Sequence, residues 1–147
     1  MASISSSFYS FQGGGTVSET TSEVIRVEEV DGVAVATFTV EKIVDNEDQA
    51  KTLELKGIEV CTAETIKDPL FELTQIRQKI VLNFGGVDFL SSAALGALIT
   101  LQKEMNAKDS QLRMCNIRPK IYEVFAITKL NRFFDIRDTR ADALSSF

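Results

Sequence analysis

Lys79-Ile80-Val81-Leu82-Asn83-Phe84-Gly85-Gly86-Val87-Asp88-Phe89-Leu90-Ser91-Ser92-Ala93-Ala94-Leu95-Gly96-Ala97-Leu98-Ile99 passes from an apolar run, through a glycine pair, into a helix-forming segment that opens on two serines. The run Lys79 to Phe84 has strand length and no alternation, the pattern of a central strand covered on both faces. Gly85-Gly86 ends it. After Val87 to Leu90, Ser91-Ser92 supplies an N-cap pair for a helix predicted over Ala93 to Asn106. Leu95, Leu98 and Ile99 are expected to form its buried stripe, with Gln102 where the stripe meets solvent.

Upstream, Val24 to Val30 and Val33 to Val40 are β-rich runs separated by Asp31-Gly32. Both turn residues accept the positive φ of a type I′ turn, so an antiparallel hairpin is expected. Between them and the central strand lie an acidic stretch (Asp45, Glu47, Asp48), a short helix over Gln49 to Lys56 stopped by Gly57, and an apolar Ile58 to Cys61. A helix over Thr65 to Gln78 follows, with Ile66, Leu70, Leu73 and Ile76 inward and Pro69 tolerable only near its first turn.

Downstream, Gln111 to Ile117 reads as a strand, and Pro119 opens a helix with Ile121, Val124 and Phe125 inward. A last strand over Phe133 to Arg137 precedes a terminal helix from Thr139. The order β-β-α-β-α-β-α-β-α specifies a single α/β domain, residues 24–147, with a mixed central sheet of about five strands and four or more helices. Phe84, Leu95, Leu98, Ile99, Val124 and Phe125 form its expected core. Residues 1–23 read as a flexible Ser/Gly-rich tail, too polar to offset the entropy of ordering, with Phe8, Tyr9 and Phe11 able to dock on a neighbour.

Composition narrows the chemistry. The chain has 147 residues, 44% apolar and 25% charged, a net charge of -5 and no histidine. General attraction to nucleic acid or to an anionic membrane is not expected. Without histidine there is no His-based triad and no imidazole ligand, and metal-dependent hydrolysis is disfavoured. Cys61 and Cys115 stand far apart without CxxC spacing, so both are expected to be buried thiols of a cytoplasmic protein rather than a zinc site or disulfide. The apolar run Ala93 to Ile99 is far shorter than the roughly 20 residues that span a bilayer. The first 22 residues carry no Lys or Arg, so a signal peptide is not expected. No phosphate loop, dinucleotide fingerprint or nucleophile elbow occurs, so neither enzymatic activity nor a cofactor is expected. Acidic residues concentrate in the first half and basic ones in the second. Arg113, Arg118, Lys120, Lys129, Arg132, Arg137 and Arg140 are candidates for a basic surface around the last two helices.

Val87 to Leu98 resembles the strand-loop-helix motif of the STAS domain of anti-sigma factor antagonists and sulphate transporters. Asn116-Ile117-Arg118-Pro119-Lys120-Ile121-Tyr122-Glu123-Val124-Phe125, followed by Leu130 and Phe133-Phe134, resembles the same family's strand-Pro-helix segment. The resemblance covers roughly Val24 to Phe147. It implies a non-enzymatic partner-switching regulator: an anti-sigma factor antagonist that binds an anti-sigma factor or serine kinase and is released by phosphorylation. The serine matching the family's phosphoacceptor is Ser92, with Ser91 as competitor. Asp45, which matches an acidic position after the family's second strand, and Asp88 are candidate partner contacts near the site. Ser91, Asn83 and Lys129 stand where the family has Asp, Asp and Gly.

Read from the residues themselves, a serine at a helix start is a cap, and Asp88 is a loop cap. A phosphate placed there faces the positive end of the helix dipole and adds about -1.5 to -2 charge, enough to oppose a partner that presents carboxylates. The competing expectation is a STAS scaffold that assembles with itself or with other STAS proteins and is never phosphorylated. Ser91 in place of Asp is the feature that favours it.

Overall fold

Asp31 and Gly32 stand at φ 51° and 82° and turn the chain between β2 (Ile25–Val30) and β3 (Val33–Phe38). The two strands pair antiparallel, with Val30 opposite Val33 and Ile25 opposite Phe38, as the Asp-Gly signal predicts. A computed structural model of the chain describes residues 20–21, 24–145 and 147. The expected tail falls outside these residues, apart from Thr20–Thr21, which form a short strand β1 against Arg26 and Val27.

The main sheet has the order β1-β2-β3-β6-β8-β9, with β6 (Lys79–Asn83), β8 (Gln111–Cys115) and β9 (Asp135–Arg137) parallel to β3. β6 lies between β3 and β8, and Ile80, Val81 and Leu82 are fully buried, as a run without alternation requires. A second parallel sheet, β5-β4-β7, is built from β4 (Lys42–Val44), β5 (Val60–Thr62) and β7 (Phe89–Leu90). The helices among the described residues are α1 (Glu47–Leu55), α2 (Ala63–Ile76), α3 (Ser92–Ala107), α4 (Pro119–Ile127) and α5 (Arg140–Ser145).

One face of the main sheet, with Ala34, Ala36, Phe38, Ile80, Leu82, Phe84 and Met114, packs under α2, α3 and α4 and forms the principal core. The opposite face, with Val35, Val81 and Cys115, is covered by Ala143 and Leu144 of α5 and by Phe147. Phe84, Leu98 and Phe125 are fully buried as expected. Both cysteines are buried and free, and burial pushes the Cys61 thiol up to about 12 and that of Cys115 to about 11.

Several expected positions shift. Leu95 and Ile99 are only half-buried, because the buried stripe of α3 runs through Ala94, Leu98, Leu101 and Met105. Gln102 is buried, since α2 packs alongside α3 and widens that stripe, and its Nε2 donates to Asn106 Oδ1 at 2.9 Å. Val124 is 39% exposed because α4 buries only the i, i+4 pair Ile121 and Phe125. Ile76 projects into solvent at the last residue of α2. Pro69 lies inside α2 rather than in its first turn, because that helix starts at Ala63 under the Thr62 cap. β8 stops at Cys115, where Asn116 turns to φ 57°, and a short 3-10 turn, Leu130–Arg132, delays β9 to Asp135.

The expected basic surface is also smaller. Arg113 is buried, donating to Asp135 and to the Ala143 carbonyl beneath the Phe147 ring. Arg137 pairs with Asp135 and Arg140 with Glu28, which leaves Arg118, Lys120, Lys129 and Arg132 exposed around α4.

Candidate functional site

The small sheet brings the candidate residues together. β4 and β7 run parallel, with Lys42 opposite Phe89 and Ile43 opposite Leu90, and the Ser91 N–H donates to the Ile43 carbonyl at 2.9 Å. Carried two residues further, this register sets Asp45 beside Ser92. There the Asp45 carboxylate accepts the Ala93 N–H at 3.1 Å, neutralising one of the unpaired donors at the start of α3. Asp45 is held from its own side by Gln49, whose Oε1 accepts the Asp45 N–H at 3.0 Å.

The two serines have different environments. Ser91 is the N-cap of α3: its backbone is extended (φ -76°, ψ 168°), its Oγ accepts the Ala94 N–H at 3.1 Å, and its side chain is buried. Ser92 is the first residue of the helix and is exposed. The helix start therefore has a buried serine committed to capping and an exposed serine that the strand register sets beside Asp45. A phosphoryl group on Ser92 would stand among the first amides of α3, where the helix dipole favours an anion and Asp45 opposes one.

Asp88 is not a loop cap. Its carboxylate pairs with Lys42 Nζ at 2.7 Å, and its N–H donates to the Glu41 carbonyl, which fixes the loop before β7 onto β4. It is thus a tether one strand away from Ser92, with its charge already matched.

A polar network that sequence reasoning missed anchors the Gly85-Gly86 loop. Asn83 Oδ1 accepts from the Gly85 N–H and from Asn116 Nδ2, both at 3.0 Å, and Arg118 Nε donates to the Gly85 carbonyl at 3.1 Å. A Cβ on Gly85 would stand 3.3 Å from Asn83 Oδ1, so the glycine keeps this approach open. Asn83 accepts both bonds through its uncharged amide oxygen. The available signals were Asn83 at the end of its strand and Asn116 two residues before Arg118-Pro119. Among the described residues, no group of three His, Cys, Asp or Glu could hold a metal ion, and no helix is long and apolar enough to cross a membrane.

Residues 42–143 match the STAS domain family, and the chain belongs to it. The chain is also similar to two curated relatives. BtrV of Bordetella bronchiseptica, provisionally named an anti-sigma factor antagonist, is 29% identical over 70 residues, 48% of this chain and 60% of its own length. The anti-sigma F factor antagonist of Paenibacillus polymyxa is 26% identical over 86 residues, covering 57% of this chain and 74% of that protein. The same fold is found in a Thermotoga maritima protein provisionally described as an anti-sigma factor antagonist. It has a TM-score of 0.63 at 22% identity over 80% of this chain and 89% of the other.

Proposed function

We propose that this protein is an anti-sigma factor antagonist: a non-enzymatic cytoplasmic module that binds an anti-sigma factor with serine kinase activity and is released when Ser92 is phosphorylated. The observation that carries this reading is the division of labour at the start of α3. Ser91 is buried and holds the cap, while Ser92 is exposed one residue into the helix, so a kinase can reach it without unwinding α3. Membership of the STAS family and the names of the two curated relatives support it.

Ser91 in place of the family's Asp does not weaken the site mechanically. A serine supplies the capping oxygen that an aspartate would, without a second negative charge next to the phosphoacceptor. Repulsion then comes from Asp45 at the helix start, and phosphorylation adds about -1.5 to -2 charge beside it.

The test is phosphate transfer from ATP by the cognate kinase, read by mass spectrometry of the intact chain and its peptides. One phosphate on Ser92 and loss of kinase binding are expected. No incorporation, with assembly indifferent to charge at position 92, would replace this reading by the unphosphorylated scaffold.

A further inference from the structure

Phe89 lies 44% exposed between two depressions. On one side it borders a groove of about 390 Å³ shared with Val44 of β4 and with Gln49 and Leu53 of α1. On the other it closes a cavity of about 80 Å³ with Leu95 of α3 and with Lys120 and Val124 of α4. An exposed aromatic ring seated between shallow apolar pockets and ringed by polar groups has the anatomy of a binding anchor.

The charges on its two flanks determine what covers it. The α1 flank is net acidic, with Asp45, Glu47, Asp48 and Glu54 against Lys51, and the α4 flank is net basic, with Arg118 and Lys120 against Glu123, all of them exposed. Lys42 and Asp88, which lie between them, are already paired with each other at 2.7 Å. A partner of a single charge sign would meet repulsion on one flank. A two-fold axis through Phe89 instead lays the acidic flank of one copy on the basic flank of the other, the self-complementarity that an isologous contact requires.

We propose that the surface centred on Phe89 is a homodimer interface whose occupant is a second copy of this chain. The rings of the two Phe89 residues fill each other's flanking depressions, and Asp48 of each copy meets Lys120 of the other. The contact does not require phosphorylation of Ser92, although it shares the acidic flank on which Asp45 stands beside that serine.

Sedimentation velocity of the full chain from micromolar to millimolar concentration tests this at low and high salt. The mass is expected to approach twice that of one chain, with dissociation favoured by salt. Phe89→Ala should weaken association at least about tenfold. Lys120→Glu and Asp48→Lys should each weaken it, and the two together in one chain should recover it, because the swapped flanks again match. Circular dichroism confirms the fold of each surface variant. A wild-type chain that stays monomeric throughout overturns the proposal, as does a Phe89→Ala variant that dimerises like wild type.

Discussion

The Asp45 carboxylate accepts the backbone N–H of Ala93 at 3.1 Å across 48 positions of sequence. Through this bond the end of β4 and the start of α3 act as one unit, and the residue between the two caps, Ser92, is held beside a fixed negative charge. The parallel pairing of β4 with β7 makes the contact inevitable: once Ile43 stands opposite Leu90, Asp45 reaches the helix start.

Capping at this junction predicts a graded response. Ser91→Ala should cost about 0.5 to 2 kcal/mol, the range for a lost N-cap. Ser92→Ala, a surface change, should stay within about 0.5 kcal/mol. Asp45→Asn keeps an acceptor and loses the charge, so it should cost less than Asp45→Ala. Urea titrations in which Ser92→Ala destabilises more than Ser91→Ala would contradict the assignment of the cap.

The core predicts a contrast between neighbours on α4. Phe125 is fully buried and packs on Phe134 with ring centroids 5.6 Å apart, so Phe125→Ala should cost about 3 to 5 kcal/mol. Val124→Ala should cost under about 1 kcal/mol, because that side chain is 39% exposed. Equal losses in denaturant titration would mean that α4 is rotated from the position described.

Lys129 supplies a stabilising substitution. It follows Thr128, the C-cap of α4, and stands in the left-handed region at φ 63°, where a side chain costs roughly 1 to 2 kcal/mol and glycine costs nothing sterically. Glycine also loses more entropy on folding, so Lys129→Gly should raise stability by a net amount of about 0.5 to 1 kcal/mol. A lower melting temperature for the variant would show that the Lys129 side chain contributes interactions that outweigh the backbone cost.

Asp135 gives the acid dependence. Its carboxyl is held below the usual range by the hydrogen bond from Arg137, with burial opposing and the charges of Arg137 and Arg113 assisting. A depressed folded-state value means that the stabilisation is present above the unfolded value, about 3.9, and is lost as pH falls through the folded one. The difference in urea midpoint between wild type and Asp135→Asn should therefore be present at neutral pH and shrink below about pH 4. A difference constant across that window would contradict the linkage.

Most of the large sheet was legible because its signals are local or periodic. Asp31-Gly32 specifies its own backbone, and the unalternating run around Val81 has no comfortable place except the middle of a covered sheet. The small sheet was not legible. Lys42–Val44 and Phe89–Leu90 are too short for any period to register, and only the pairing of distant segments turns them into strands. That pairing also carries the site, so the proximity of Asp45 to the serines came from the family resemblance and not from spacing. Asp88 looked like a cap because its partner, Lys42, lies 46 positions away. Gln102 and Val124 were misplaced for a related reason: the width of a helix's buried stripe depends on how many neighbours lie against it. α3 has α2 at its side, whereas α4 buries only Ile121 and Phe125.

Site-resolved phosphorylation tests the central claim most directly. Wild-type, Ser91→Ala and Ser92→Ala proteins, each shown to be folded, are incubated with the cognate kinase and ATP, and phosphate is located by tandem mass spectrometry. One phosphate on Ser92 is expected in wild type and in Ser91→Ala, none in Ser92→Ala, and release of the modified chain from the kinase. Phosphate on Ser91, or a wild-type chain that remains unmodified and bound, would contradict the account.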